Sequence, residues 1–333
     1  MRRDRTKELP STRRSVWDYS EVDGVENPKL QERNAYFESL QSHMLIEDIG
    51  AQVIPYVRLS EKEPFTVELV PPSEEVASLV ATALKSRDRG WRDELSSSLA
   101  DFVRECTQSV ITVGEAIYEI VYFSNPTDQK PVAFELELIR PFTVKSRRGQ
   151  FFQEIPQKSA ERLSISNSID LPSDSILVFQ QLSPALRKGL EHTLQTLAVL
   201  SKKLMPQFAL DNFRDAASKF GYDSANQVYA QRLALAEAGK AIGWNARGLF
   251  TDDMLEYYSL KRHLSFEKFK IELRNSIVAT LNGGLGRVGQ HMGFEAQIRL
   301  HGLPTMSDVE RAESELAAGG KAFGEILKPF LSK

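Results

Sequence analysis

Residues 95–139 read LSSSLADFVRECTQSVITVGEAIYEIVYFSNPTDQKPVAFELELI, and the change of period inside them decides the fold class. Up to Val113 the apolar residues Leu95, Leu99, Phe102, Val103, Cys106 and Val110 recur at spacings of three and four, which puts them on one face of a helix. Gly114 follows, a residue free to take the left-handed conformation that ends a helix. Beyond it the period falls to two. Residues 115–123 are rich in β-branched and aromatic side chains. In 131–138, Val132, Phe134, Leu136 and Leu138 alternate with Ala133, Glu135 and Glu137, and the intervening NPTDQKP is turn chemistry. Weaker strand signals follow at Gln150–Ile155 and Ile176–Gln180. The span 115–180 therefore reads as a small, mostly antiparallel sheet flanked by helices, and the chain as α+β. Alternation explains Glu135 and Glu137 as one wet face of a strand, not as a catalytic pair.

Outward from this region the helical signal dominates. PPSEEVASLVATALKS opens with Pro72 and Ser73 and puts Glu74 and Glu75 in the first turn, which favours a helix start. After 182 come four helical patterns. The first carries Leu186, Leu190, Leu194 and Leu197 on one face, and the last carries Phe266, Phe269, Leu273, Ile277 and Leu281. The charged residues of that last pattern, Lys261, Arg262, Glu267, Lys268, Lys270 and Glu272, read as a solvated or subunit-facing surface. GGLGRVG at 283–289 contains Gly284-x-Gly286-x-x-Gly289, the spacing of a dinucleotide fingerprint. That fingerprint works only where a strand enters the glycines and a helix leaves them. Here a helix enters and a strand at 294–300 follows, so the spacing predicts a helix-ending turn and no nucleotide site. The alternating Phe294, Ala296, Ile298 and Leu300 need an apolar surface, and the 115–180 sheet is the expected one.

Composition sets wider bounds. The net charge of −3 gives no global attraction to nucleic acid or anionic lipid. A single cysteine, Cys106, cannot form an intrachain disulfide or begin a zinc cluster, and its place in the helical stripe marks it as core. The five histidines are scattered, with no i,i+4 metal spacing. No apolar run approaches the ~20 residues of a membrane span. The opening MRRDRTKELPSTRRS has no apolar segment behind it and is not a secretory signal. It reads as a flexible basic arm, with contact to nucleic acid or to a neighbouring subunit as the sharper possibility. No catalytic residues, cofactor or metal site emerge from the sequence.

The order of elements reaches further. A long amphipathic helix running into GEAIYEIVY, a β region, IDLPSDSILVFQ, and then RKGLEHTLQTLAVLSKKLMPQFALDNFRDAASKFG resembles the portal proteins of tailed bacteriophages, particularly the Mu-like branch. LKRHLSFEKFKIELRNSIVATLNGGLGRVGQHMGFEAQIRLHGLPTMSDVERAESELAAGG is similar to the end of a portal core. The resemblance covers roughly residues 90–330 and is one of ordered elements, with no short diagnostic motif. The chain is short for a portal, and no clip segment stands out. The resemblance implies a non-enzymatic ring, a dodecamer in the family, at one capsid vertex of the virion. Double-stranded DNA passes through it, and terminase motor, capsid and head–tail connector proteins dock on it. With the flexible basic arm (1–27) read from composition, the chain divides into that arm, a wing-like α/β region (28–182), a stem-like helical region (183–265) and a closing helix–strand–helix (266–333). Within the stem-like region, Lys202, Lys203, Arg214 and Lys219 are the candidates for brushing the DNA backbone. The basic excess there is modest, as suits a channel in which DNA must slide, because each neutralised phosphate adds salt-dependent affinity. The rival readings are another virion structural or adaptor protein, and an enzyme whose site is assembled from scattered residues.

Overall fold

A computed structural model describes residues 9–16, 40–55, 65–84, 94–140, 142–180, 183–201, 224–248 and 255–330. In chain order the elements are α1 (Leu40–Val53), β1 (Thr66–Val70), α2 (Glu74–Ala83), α3 (Leu95–Val113), β2 (Ala116–Ser124), β3 (Pro131–Leu138), β4 (Val144–Arg147), β5 (Gln150–Glu154), α4 (Gln157–Leu163), β6 (Ser168–Leu171) and β7 (Ile176–Phe179). They continue with α5 (Pro184–Ser201), α6 (Ser224–Lys240), a 3-10 turn (Ala246–Gly248), α7 (Glu256–Met292), β8 (Gln297–His301), α8 (Met306–Ala318) and α9 (Phe323–Leu327). The protein is α+β, with small antiparallel sheets flanked by helices and a long C-terminal helix. Its described residues fall into two compact units, one drawn from Met1–Leu30, Ile54–Gln180 and Asn275–Gly302, the other from Gln31–Val53, Gln181–Arg274 and Leu303–Lys333.

In the first unit, α2 starts where its sequence suggests, and Ser73 caps it, accepting from the Val76 amide at 3.3 Å. Helix α3 ends where Gly114 takes φ 97°. Its stripe residues Leu99, Phe102, Val103, Cys106 and Val110 are buried. Phe102 meets Tyr118 of β2 and Phe179 of β7, the three rings lying 5.3–5.7 Å apart in tilted and edge-on geometries. The opposite face of β2 contributes Ile117 to a second cluster with Ile139, Leu171 and Ile176. Covered on both faces, β2 carries a near-continuous apolar run in place of an alternating one. The expected single sheet is two three-stranded sheets, ordered β3-β2-β7 and β4-β5-β6.

Three expectations are corrected here. Strand β8 does not return to the 115–180 region but pairs antiparallel with β1, Ile298 opposite Leu69. Its phase is as read, with Ile298 buried and Gln297 and Arg299 exposed, but β2 has no edge to offer it. One edge of β2 is taken by β3, and the other by β7 along Ala116–Glu119. The rest of that second edge holds the N-terminal segment, the second correction. Residues 9–16, read as part of a flexible arm, lie extended against β2, with Ser11 bridged to Phe123. Third, the glycines at 283–289 do not end a helix. Helix α7 runs through them and stops only at Gly293, φ 79°.

The second unit is helical. Leu260, Leu264 and Ile271 of α7 pack with Val309, Ala312 and Leu316 of α8 and Ile326 of α9. Helix α8 opens with a capping box in which Thr305 and Asp308 satisfy each other's amides. The stripe of α5 is buried at Leu190, Leu194 and Leu197. Helix α6 ends against the fully buried Trp244, and a Cβ at Gly239 would lie 2.2 Å from the Trp244 carbonyl oxygen. No helix among the described residues is long and apolar enough to cross a membrane.

Candidate functional site

The glycine fingerprint lies inside α7, so its amides are spent on the helix's own i→i−4 bonds and do not converge on a ligand. Two of the glycines, Gly284 and Gly289, serve packing. Gly284 lets α7 approach β7, where a Cβ would come within 2.8 Å of Leu177 Cδ2. The Gly289 oxygen accepts from the amides of Gly293 and Phe294 at 2.8 and 3.1 Å. Gly283 and Gly286 face open space. An open groove of 710 Å³ runs past Gly286, Gly289 and Gly293 to Pro71 and Phe294–Gln297. It sits at the C-terminal end of α7, the negative end of the helix dipole, and Glu295 lines it. Both features disfavour a phosphate.

Among the described residues, a dense ionisable cluster lies on the second unit's part of α7. Glu267 and Lys270, read from sequence as surface, are 6% and 4% exposed. Their side chains meet at 2.6 Å, Lys270 Nζ also donates to Gln52 Oε1 at 3.0 Å, and it lies 5.0 Å from the Phe266 ring centroid. His263 Nε2 stands 3.5 Å from Glu267 Oε1. Burial pulls the His263 and Lys270 pKa values down, although Glu267 opposes the shift in both. Arg274 donates to the carbonyls of Val53 and Pro304, and Arg262 to those of Ala236 and Trp244. Burial lowers both guanidinium pKa values to about 10, so both stay charged at neutral pH. Nearby, Asp48 accepts from Trp244 Nε1 at 2.9 Å and Arg247 Nε at 2.7 Å. These groups tie helices and loop carbonyls together, and their partners are spent on structure. The periodicity missed them because a charged residue at an apolar-stripe phase looks the same in sequence whether solvated or paired.

In the first unit, Tyr118 OH donates to Glu105 Oε1 at 3.2 Å, and Cys106 Sγ lies 3.7 Å from Tyr118 OH. Burial raises the pKa of both the thiol and the phenol well above their ordinary values. The thiolate that would react is thereby suppressed, and Cys106 packs as expected. Among the described residues no group of His, Cys, Asp and Glu is placed to hold a metal ion.

Of the four DNA-backbone candidates, Lys202, Lys203, Arg214 and Lys219 all lie outside the described residues. A different basic feature is described. The β4–β5 hairpin closes through the pair Arg147–Gln150, with Arg148 and Gly149 both at positive φ, 54° and 79°, as type I′ hairpin turns require. Lys145, Arg147 and Arg148 are exposed on it. In the sequence, two basic residues set directly before a hairpin glycine, Arg147 and Arg148 ahead of Gly149, are the signal for it. Elsewhere Leu255, Tyr257 and Tyr258 at the start of α7 are exposed apolar side chains. The chain matches no protein-family model, and no curated protein matches it.

Proposed function

We propose that this chain is a portal-type protein of a tailed bacteriophage or prophage. It assembles as a homo-oligomeric ring at one capsid vertex of the virion, passing double-stranded DNA during packaging and ejection and giving the packaging motor a docking surface. The observation that carries the reading is the order of elements. An amphipathic helix (α3) leads into small antiparallel sheets, then α5, α6 and the 37-residue α7, followed by a strand, a capped acidic helix and the short α9. This is the order on which the portal resemblance rests.

The basic β4–β5 hairpin adds a candidate DNA contact. Arg148 sits at the tip of the turn at φ 54°, and its side chain is exposed. Three exposed cations on a short hairpin suit weak, sequence-independent contact with phosphates. Electron micrographs of the purified protein provide the direct test. Closed rings with a central opening are expected, and a field of single chains at high concentration would overturn the proposal.

A further inference from the structure

Residues 10–16 lie in a cradle that reads main chain. Thr12 N donates to the Tyr122 oxygen and Ser124 N to the Pro10 oxygen, both at 3.0 Å, adding a short strand beside β2 where β7 leaves off. The next amides, Arg14 N and Ser15 N, each donate to one oxygen of Glu119 at 2.9 Å. Gln153 then grips Val16 twice, its Oε1 accepting from the amide and its Nε2 donating to the carbonyl, both at 2.8 Å. Glu119 is 1% exposed and Gln153 0%. A carboxylate and a carboxamide are thus held inside the unit and aimed at consecutive peptide groups of an extended segment, and a buried acceptor without such donors is costly.

We infer that this edge of β2, with Glu119 and Gln153, is a docking site for an extended peptide, and that in assemblies of this chain it takes residues 10–16 of a second copy. The site suits this particular segment. Ser15 is 6% exposed, leaving room for only a small side chain, and Arg13 reaches Glu137 at 3.8 Å while its Nε donates to Ser15 O. Every other copy carries the same run. Residues 10–14 are exposed and Leu9 and Val16 are only half-buried, so the segment can leave with little apolar surface uncovered. The contacts are identical whichever copy supplies the arm, so local concentration decides between them, the condition under which identical elements exchange between subunits. Strand addition to a sheet edge is an established mode of such recognition. The inference rests on the self-association proposed above and on no other part of that reading.

Ser11 and Phe123 form a non-hydrogen-bonded antiparallel pair, flanked by the Thr12–Tyr122 and Pro10–Ser124 bonds. Such pairs have Cα atoms about 4.5 Å apart, within the range a disulfide spans. The full chain carrying Ser11→Cys and Phe123→Cys, oxidised at concentrations where copies associate, reports the arm's owner on a non-reducing denaturing gel. Exchange gives a reducible ladder extending past dimers. Either single-cysteine variant stops at the dimer, because buried Cys106 is out of reach. Adding Glu119→Ala should cut the ladder about tenfold, as expected for losing hydrogen bonds to a charged acceptor. Associated protein whose chains are joined only within themselves, or not joined at all, would overturn the exchange and leave the ring reading standing. Protein that does not associate at any concentration sinks the self-association on which both depend.

Discussion

Gly286 and Gly289 stand three residues apart on α7 and make opposite demands. A Cβ at Gly289 would lie 2.1 Å from the Phe294 oxygen, which is backbone and cannot swing aside. Gly289→Ala is therefore expected to destabilise by at least ~1–3 kcal/mol, the range for overpacking. Gly286 has open space and a helical backbone, so Gly286→Ala is expected to stabilise by up to ~1 kcal/mol through helix propensity. Urea unfolding of the two variants checks both signs, and destabilisation by Gly286→Ala would place those glycines in a turn after all. His263 supplies a pH test. Its folded pKa lies below 6.5, set by burial, with Glu267 opposing and Lys270 reinforcing the shift. The folded state thus resists protonation more than the unfolded chain. The contribution is complete above pH 6.5 and is lost as pH falls through 6.5 toward the folded value. The urea midpoint should drop more steeply below pH 6.5 in the wild type than in His263→Leu; parallel curves would show that His263 is not held neutral.

Among elements, the α7 ion pair and the α8 cap are open to direct measurement. Lys270→Ala leaves Glu267 buried without its cation and should cost about 3–5 kcal/mol, whereas Glu267→Leu with Lys270→Met should recover most of that loss. A double variant as unstable as the single one would mean that the pair's value lies in its wider network, Gln52 included. Thr305→Ala removes the cap of α8 and should cost about 1 kcal/mol by thermal unfolding. The legibility of these elements in the sequence follows from their physics. The α3 stripe, Gly114 and the start of α2 are legible in the sequence because each is a local pattern with a local cause. The partner of β8 is not, because it depends on which edges of β2 are already occupied, and that involves residues more than a hundred positions away. The helix through 283–289 was misread for a related reason. Glycine propensity argues for a turn, and only the packing of Gly284 on Leu177 and of Gly289 beneath Phe294 shows what a smaller side chain gains there.

At the scale of the whole molecule, the chain passes repeatedly between its two units, and α7 contributes to both, from Glu256–Arg274 and from Asn275–Met292. A reading that proceeds along the chain divides it into successive segments and has no signal for such interleaving. The candidate DNA contact is the reverse case, local in the chain but dependent on assembly. The basic hairpin tip is three exposed cations in a short stretch, and its claim on DNA depends on the ring that would surround a channel. With Lys145, Arg147 and Arg148 all changed to glutamine, nonspecific DNA association should weaken and its salt dependence flatten, because fewer phosphates are neutralised. Identical binding at every salt concentration would remove the hairpin from the DNA path. The ring itself is the central claim, and light scattering coupled to size-exclusion chromatography tests it most directly. The account predicts one particle whose mass is a fixed multiple of the 37.5 kDa chain, about twelvefold if the family resemblance holds, and a stable 37.5 kDa monomer at high concentration would contradict it.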